Sequence, residues 1–204
     1  MAEVAAIILA AGRASRFREA SDLATKMVAL WQGVPLVRHV ARAALASKAC
    51  SVVVVTGHAR ADVEQALAGL PVRFVHNAGF ASGLAGSLQS GLAALPPHIA
   101  AALVLLGDMP GVKAGTCNRL IETFAAAAEG TIALVPVFNH ASGNPVLLAR
   151  SLFDEINRLS GDQGARRILP DGRAGVLQVP VDDPGILADV DTPQALAALH
   201  GLAR

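Results

Sequence analysis

The hydrophobic pattern of the chain alternates between two kinds of segment. Short, continuously apolar runs such as residues 5–10 are typical of buried strands. Longer stretches with apolar residues on one helical face follow them, as in residues 83–95, where Leu84, Leu88 and Leu92 share a face. A repeated order of buried strand and amphipathic helix predicts a mostly parallel sheet that is covered by helices on both faces.

The same pattern predicts the bounds of each element. Strands are predicted at residues 5–10, 51–56, 72–75, 101–106, 131–137, 145–148 and 176–179. A polar loop is predicted from the first strand to about Gln32, and helices at residues 35–46, 61–68, 83–95, 114–128, 151–159, 164–169 and 193–202. The alternation is less regular at residues 138–184, where we expect an antiparallel edge and a flap that faces the substrate.

Domain organisation follows from what the chain lacks. It has no repeat, no low-complexity tract and no linker rich in Gly, Ser or Pro. We therefore expect residues 1–204 to form one α/β domain, with three layers and a mostly parallel, mixed, Rossmann-like sheet.

Charge and cysteine content exclude several classes of partner. With 17 basic and 16 acidic residues, the chain offers no electrostatic reason to expect nucleic acid or a membrane surface as a partner. No apolar segment approaches the roughly 20 residues that a membrane-spanning helix needs, and the apolar start lacks a basic leader. Cys50 and Cys117 have neither metal nor redox spacing, so we expect two reduced thiols in a cytoplasmic protein.

Small, polar or acidic residues follow four consecutive predicted strands. In open α/β sheets, ligands bind beyond the carboxyl ends of the strands. Those ends carry, in chain order, Ala10-Ala11-Gly12-Arg13, Thr56-Gly57-His58, His76-Asn77 and Gly107-Asp108-Met109-Pro110. A ligand cleft is therefore expected at this edge of the sheet.

The loop after the first strand combines a glycine with three basic residues. Gly12 lets backbone N–H groups approach an anion, and Arg13, Arg16 and Lys26 add positive charge that suits phosphate oxygens. Neither GxGxxG nor GxxxxGK[ST] is present. The residues alone leave two interpretations open, a phosphate-binding loop or a strand that ends in a solvated basic loop.

Two acidic segments are candidates for Mg²⁺ binding. Asp108 lies just past a buried strand, and Mg²⁺ typically takes one or two carboxylates together with substrate phosphates. Asp189 and Asp191 lie on one side of an extended segment. Structural roles are open too, because Asp108 suits a turn, and Asp191 or Thr192 suits the cap of a helix that begins at Pro193.

The remaining candidates indicate no further chemistry. Asp182 and Asp183 precede Pro184 and are expected to form a turn. The six histidines have no zinc-ligand spacing, and no serine lies in a GxSxG motif.

Taken together, four motifs resemble the nucleotidyltransferases that share the fold of the molybdenum cofactor guanylyltransferase. They are LAAGRASRF at residues 9–17, Lys26, GDMP at 107–110 and DVDTP at 189–193. They occur in the family's order and extend over nearly the whole chain. Arg18 departs from the family pattern, which usually has glycine there.

Further segments resemble the cytidylyltransferase branch of that family. LAAG stands where the guanylyltransferases have LAGG, and Asn77 with GLAGSL at residues 83–88 resembles the branch's N…GMxxSL. GNPVLL at 143–148 and LSGDQGAR at 159–166 resemble its GHPVLF and LxGDxGAR, although Asn144 replaces the common histidine.

The resemblance implies a Mg²⁺-dependent transfer of CMP from CTP to the phosphate of a molybdopterin-type acceptor, with a molybdoenzyme or its chaperone as a partner. It implies catalytic roles for Arg16, Lys26 and Asp108, and Mg²⁺ on Asp108 and Asp191, with Asp189 as the alternative second ligand. The implied nucleotide-binding residues are Leu9, Ala10, Ala11, Gly12, Arg13, Lys26, Gly57, Asn77 and Ser87. Two alternatives stay open, a nucleotidyltransferase for a sugar 1-phosphate or other phosphomonoester, and a nucleotide-binding module without transferase chemistry.

Overall fold

The secondary structure was read from a computed structural model, which describes residues 2–13, 17, 19, 23–170 and 172–202. Its strands are β1 (Val4–Ala10), β2 (Leu30–Trp31), β3 (Val34–Pro35), β4 (Val52–Thr56), β5 (Arg73–His76), β6 (Ala101–Leu106), β7 (Ala133–Phe138), β8 (Ala141–Ser142), β9 (Val146–Ala149) and β10 (Val176–Pro180). Its α-helices are α1 (Leu36–Leu45), α2 (Arg60–Ala66), α3 (Leu84–Ala93), α4 (Ala114–Ala126), α5 (Phe153–Ile156) and α6 (Pro193–Leu202). Short 3-10 helices lie at Lys26–Val28, Phe80–Ser82, Arg150–Leu152, Ala165–Ile168 and Pro184–Leu187.

The central sheet has the strand order β10-β7-β9-β6-β1-β4-β5, and β8 pairs with β7. Strand β1 is parallel to both of its neighbours, β4 and β6. Strands β5 and β10 are parallel to β4 and β7, whereas β9 is antiparallel to β6 and β7. The strand order reverses at β1, and the carboxyl ends of β6, β1, β4 and β5 meet at one edge. Open α/β sheets bind ligands at such a reversal.

Helices cover both faces of the sheet because successive side chains of β1 point to opposite faces. Ala6 and Ile8 pack in one hydrophobic cluster with residues of α1, α2 and α4. Ile7 and Leu9 pack in a second cluster with residues of α3 and α5. The predicted three-layer α/β fold with a mostly parallel, Rossmann-like sheet is therefore confirmed. That residues 1–204 form a single domain stays a prediction.

The predicted antiparallel edge is wrong. The antiparallel strand β9 lies inside the sheet, between β6 and β7, and the edge on that side is β10, which is parallel to its neighbour. All four residues of β9 are buried, whereas β10 is largely exposed. An apolar strand such as β9 needs cover on both of its faces, which an interior position provides.

Two predicted helices are shorter than expected. Residues 151–159 form a 3-10 turn followed by the one-turn helix α5, and residues 164–169 form only a 3-10 turn at Ala165–Ile168. The conformation of such short segments depends on tertiary packing more than on their own hydrophobic pattern. Here Ile168 and Leu169 are buried in the second cluster. The polar loop predicted up to about Gln32 contains the 3-10 turn at Lys26–Val28 and the β2–β3 hairpin.

Two absences concern only the described part of the chain. None of its helices combines the length and the apolar character that crossing a membrane requires. Its two cysteines form no disulfide, since Cys50 is an exposed thiol and Cys117 a buried one.

Candidate nucleotide site

A cavity of about 380 Å³ opens where β1 and β6 end. Seven residues that the sequence singled out line it, and they come from segments that are far apart in the chain. They are Leu9, Ala11, Gly12, Lys26, Ser87, Asp108 and Asp191. Of the described residues, Met27, Leu84 and Leu106 also line the cavity. They were not predicted as site residues, because an apolar residue in or beside a motif cannot be distinguished from a core residue by its type.

The centre of the cavity wall is an ion-pair triad that consists of Lys26, Asp108 and Asp191. The ammonium nitrogen of Lys26 lies 2.5 Å from Oδ2 of Asp108 and 2.5 Å from Oδ1 of Asp191. The Lys26 and Asp108 side chains are only 11% and 12% exposed, whereas that of Asp191 is 47% exposed. Because both oxygens contact one nitrogen, the two carboxylates lie within about twice the ammonium–oxygen distance of each other.

Backbone packing brings the members of the triad together. The amide of Gly107 donates to the carbonyl of Leu9 at 3.0 Å, which holds the end of β6 against the end of β1. A methyl group on Gly107 would lie 2.8 Å from Sδ of Met27 and 3.1 Å from the Leu9 carbonyl oxygen, so a larger residue there would require the Met27 side chain to move. The amide of Val190 donates to the carbonyl of Asp108 at 3.0 Å and so brings Asp191 beside the turn.

Helix capping leaves the carboxylate of Asp191 available for the triad. The hydroxyl oxygen of Thr192 accepts a hydrogen bond from the amide of Ala195 at 3.2 Å. Thr192 therefore caps α6, and Asp191 contacts Lys26. In this segment Thr192 therefore has the structural role of helix cap, and its neighbour Asp191 stays the candidate metal ligand. The sequence had left open which of the two residues caps the helix.

The charge state of Lys26 follows from this environment. Burial lowers the pKa of its amine, but the negative charges and hydrogen bonds of Asp108 and Asp191 outweigh burial, so the net pKa is raised. Lys26 is therefore an ammonium ion at neutral pH, and with the two carboxylates the triad carries one net negative charge.

Asn77 and Ser87 form a second polar element of the site. The amide of Gly79 donates to Oδ1 of Asn77 at 3.0 Å, and Nδ2 of Asn77 lies 3.1 Å from Oγ of Ser87. A backbone amide can only donate, which orients the Asn77 side chain with its oxygen towards Gly79 and its NH₂ group towards Ser87. Ser87 therefore accepts from Asn77, and its hydroxyl donates to no residue that the structure describes.

The other predicted nucleotide-binding residues lie around this centre. A methyl group on Gly12 would have no atom of the described residues within 4 Å, and the backbone there does not have the positive φ that favours glycine. Arg13 is exposed, and its guanidinium carbon lies 5.8 Å from the centre of the Phe80 ring. Gly57 contacts Ala11 closely, since a methyl group on Gly57 would lie 2.8 Å from the Ala11 methyl.

Of the predicted nucleotide-binding residues, Ala10, Arg13, Gly57 and Asn77 are not among those that line the cavity. Ala10 is buried and packs in the first hydrophobic cluster, on the face of β1 that is turned away from Leu9 and Ala11. The predicted catalytic residue Arg16 lies outside the described residues.

A second, smaller cavity shares Leu106 with the first one. Its volume is about 210 Å³, and Met109, Ser142, Asn144, Arg166, Ile186, Leu187 and Asp189 complete its lining. Asp189, the alternative second metal ligand, therefore lines a different cavity from Asp191. Sequence reasoning noted Asn144 and Arg166 only as parts of motifs and gave them no role.

The residues of the triad suit a divalent cation such as Mg²⁺. Asp108 and Asp191 already converge on one cationic group, the Lys26 ammonium, and both supply carboxylate oxygens. Among the described residues there is no cluster of three or more His, Cys, Asp or Glu side chains that could hold a metal ion. Mg²⁺ does not need such a cage, because it usually combines one or two carboxylates with water and substrate phosphates.

The chain belongs to the MobA-like NTP transferase domain family, whose model matches residues 6–189. This is a family of nucleotidyltransferases. Among curated proteins it is similar to the "Bifunctional protein GlmU" of Leifsonia xyli, with 27% identity over 85% of this chain and 36% of that protein. The chain thus spans little more than a third of that relative's length.

Solved structures agree with this assignment. Rv0371c from Mycobacterium tuberculosis superposes with a TM-score of 0.81 at 26% identity, covering 98% of this chain and 99% of that one. A nucleotidyl transferase from Methanothermobacter gives a TM-score of 0.81 at 25% identity, covering 98% and 97%. A second structure of Rv0371c is a complex with manganese, with a TM-score of 0.79 at 24% identity and 98% of both chains covered.

Proposed function

We propose that the chain transfers CMP from CTP to the terminal phosphate of a molybdopterin-type acceptor and releases pyrophosphate. The observation that carries this proposal is the convergence of Lys26, Asp108 and Asp191 in a cavity at the strand-order reversal, beside Gly12. Two carboxylates for a divalent cation and one lysine for phosphate are what nucleotidyl transfer requires of a protein.

In the proposed reaction, an oxygen of the acceptor phosphate attacks the α-phosphorus of CTP. A bond forms between that oxygen and the α-phosphorus, while the bond from the α-phosphorus to the oxygen that bridges to the β-phosphate breaks. The acceptor oxygen is already anionic, so no general base is needed. The protein has to hold the attacking and leaving oxygens in line and to neutralise charge.

Each charged residue then has a defined task. Asp108 and Asp191 would hold Mg²⁺, which when bound supplies charge neutralisation at the phosphates. Lys26 would neutralise charge near the α-phosphate, and Arg13 and Arg16 would bind the outer phosphates. Gly12 supports this arrangement, because it lines the same cavity as Lys26 and Asp108, and phosphate oxygens can approach the backbone closely at a glycine.

Nucleobase selection is proposed to rest on Ser87 and Ala11. Asn77 occupies an acceptor position of the Ser87 hydroxyl, so that this hydroxyl acts as a donor in the cavity. A donor at this position suits the O2 carbonyl oxygen of cytosine. The methyl group of Ala11, packed beside Gly57, adds a steric preference for a small base.

The acceptor is proposed to occupy the second cavity. Leu106 forms part of both cavities, so a molecule there would lie next to the nucleotide. Its polar lining by Ser142, Asn144, Arg166 and Asp189 suits a polar, anionic acceptor better than an apolar one. A molybdoenzyme or its chaperone in the cytoplasm would then receive the product. A sugar 1-phosphate is the alternative acceptor, since the same lining would hold a sugar's hydroxyl groups.

Pyrophosphate release tests the proposal directly. The purified protein is incubated with Mg²⁺, with CTP, GTP, UTP or ATP, and with either a molybdopterin-type phosphomonoester or a sugar 1-phosphate. We expect release with CTP and the pterin acceptor. Release with only the sugar 1-phosphate would identify the alternative acceptor. Binding of CTP without release from any combination would indicate a nucleotide-binding module without transferase chemistry.

A further inference from the structure

We propose that Lys26 is an internal counter-ion that occupies the carboxylate pair of the free enzyme and leaves it for the triphosphate when nucleotide and metal bind. This inference rests on the proposed function, because it assigns the site a divalent cation and a nucleotide. What it adds is that Lys26 and the cation compete for the two carboxylates. The transfer reaction itself does not require such a competition.

The geometry of the triad carries the inference. A lysine that only waited for a phosphate would extend into the cavity, but the Lys26 ammonium contacts both candidate metal ligands at 2.5 Å. It uses the same oxygens, Oδ2 of Asp108 and Oδ1 of Asp191, that a cation would approach. The Lys26 and Asp108 side chains are also nearly buried, so bulk water screens their contact weakly.

Charge balance decides what happens when a divalent cation arrives. With Lys26 in place, a divalent cation that approaches Oδ2 of Asp108 and Oδ1 of Asp191 would meet a positive group at contact distance. Without Lys26, this repulsion at the two oxygens is absent. A divalent cation alone should therefore bind the free enzyme weakly.

A bound triphosphate removes this conflict because it offers Lys26 another anionic partner. Lys26 and Gly12 line the same cavity, and the flexible lysine stem can turn from the carboxylates to phosphate oxygens. The nucleotide would thus free the carboxylates for the metal. Coupling of this kind is reciprocal, so the metal strengthens nucleotide binding by the same factor, typically about 5–150-fold.

The test measures Mn²⁺ binding in the absence of nucleotide, by electron paramagnetic resonance of free Mn²⁺. We expect Lys26→Met to bind Mn²⁺ at least about five-fold more tightly than the wild type, the lower end of typical coupling factors. The variant should also lose most of the further gain in Mn²⁺ affinity that a non-hydrolysable CTP analogue gives the wild type. Equal or weaker Mn²⁺ binding by Lys26→Met would overturn the proposal.

Matched variants separate the role of Lys26 from general effects of charge. Lys48→Met removes an equal charge from an exposed pair with Glu122 and should leave Mn²⁺ affinity unchanged. The double variant Lys26→Met with Asp108→Asn should lose the gain, because the tight site needs both carboxylates. Lys26→Gln, which keeps a polar end, is measured in parallel in case the methionine variant does not fold.

A measurement on the unaltered protein covers the case in which neither Lys26 variant folds. In this experiment the CTP analogue is absent throughout, and acetylation of Lys26 is followed by mass spectrometry. Its rate should increase as Mn²⁺ is raised to saturation, because the cation displaces the amine from the carboxylates. An unchanged rate at saturating Mn²⁺ would overturn the proposal. These readouts do not need turnover, so an absence of pyrophosphate release would refute the proposed function while the Mn²⁺ measurements still decide this inference.

Discussion

The amide of Val190 donates a 3.0 Å hydrogen bond to the carbonyl oxygen of Asp108, which joins the turn after β6 to the segment before α6. This contact between two main chains orients the carboxylates of Asp108 and Asp191 towards Lys26. Because no side chain takes part in the bond, substitutions of either aspartate should leave the junction in place. The effect of removing each carboxylate can therefore be measured separately, with the backbone of the site unchanged.

Asp108→Asn is expected to lower turnover by about 10²–10³-fold, the typical loss when one group that stabilises the transition state is removed. Asparagine keeps the size of the side chain but not its charge, and Lys26 retains Asp191 as an anionic partner in the variant. Steady-state pyrophosphate release at saturating Mg²⁺ measures the effect. Asp154→Asn, on the exposed surface of α5, is the control and should retain full activity. Full turnover by Asp108→Asn would refute its assignment as a metal ligand.

Asp191→Asn and Asp189→Asn distinguish the two candidates for the second ligand. Asp191 contacts Lys26 and lines the nucleotide cavity, whereas Asp189 lines the second cavity. We expect the Asp191 variant to need more Mg²⁺ for half-maximal rate, and the Asp189 variant to change mainly the KM for the acceptor. A reversal of these two effects would make Asp189 the metal ligand.

Ser87→Ala is expected to raise the KM for CTP, because the cavity would lose a hydrogen-bond donor. The loss should be about 2–10-fold, since a neutral hydrogen bond is typically worth ~0.5–1.5 kcal/mol. Ser90→Ala is the matched control on the same helix, because the Ser90 hydroxyl donates to the Gly86 carbonyl at 2.7 Å and does not line the cavity. Equal KM values for the two variants would exclude Ser87 as a nucleotide contact.

Much of the sheet and of its functional edge could be predicted from the sequence. Strand β6 has the predicted bounds, because its apolar run ends at Gly107-Asp108, residues that are typical of a turn. In the same way, the change from apolar to small or polar residues predicted which residues lie at the ends of β1, β4 and β5. Parallel pairing then brings these ends together without any further information.

Contacts between distant segments could not be predicted in the same way. The charges of Lys26, Asp108 and Asp191 were recognised, but their mutual contact depends on the packing of Gly107 and on the Val190 hydrogen bond. The interior position of β9 depends on pairing with β6 and β7, which a four-residue pattern does not encode. The hydrogen bonds of the Asn77 side chain with the Gly79 amide and with Ser87 depend in the same way on the turn at residues 77–79 and on the packing of α3.

Asp183→Ala is expected to lower the free energy of unfolding by at least about 2 kcal/mol, since two buried donors would lose their acceptor and each typically costs ~1–3 kcal/mol. The buried Asp183 carboxylate accepts hydrogen bonds from the amides of Lys113 and Gly185, at 2.9 and 3.0 Å, and from the Thr116 hydroxyl at 2.6 Å. It therefore caps α4 as well as forming the predicted turn. Asp182→Ala, at the exposed neighbour, should be nearly neutral in the same urea titration.

Only one thiol of the folded chain is expected to react with a thiol-specific reagent at pH 8. Burial, with the nearby charge of Asp183, raises the pKa of Cys117 to about 12, so its reactive thiolate is almost absent at pH 8. Cys50 is exposed and should be labelled at once. A second equivalent should react only after unfolding in guanidinium. Cys50→Ser should abolish the fast reaction, and rapid labelling of that variant would contradict the buried environment of Cys117.

Ala11→Gly is expected to relax the preference for CTP over GTP without abolishing the use of CTP. The methyl group of Ala11 lies beside Gly57, and its removal would widen the cavity at the end of β1. Such steric discrimination is typically worth ~1–3 kcal/mol, so the ratio of kcat/KM for the two nucleotides should change by about 10–200-fold at most. Ala10→Gly is the matched control, because the Ala10 side chain packs on the opposite face of β1 and should affect stability but not this ratio. If the wild type already used GTP as well as CTP, the steric argument and the assignment to cytidylyl transfer would both be wrong, whereas the carboxylate pair and its metal could still serve another nucleotide.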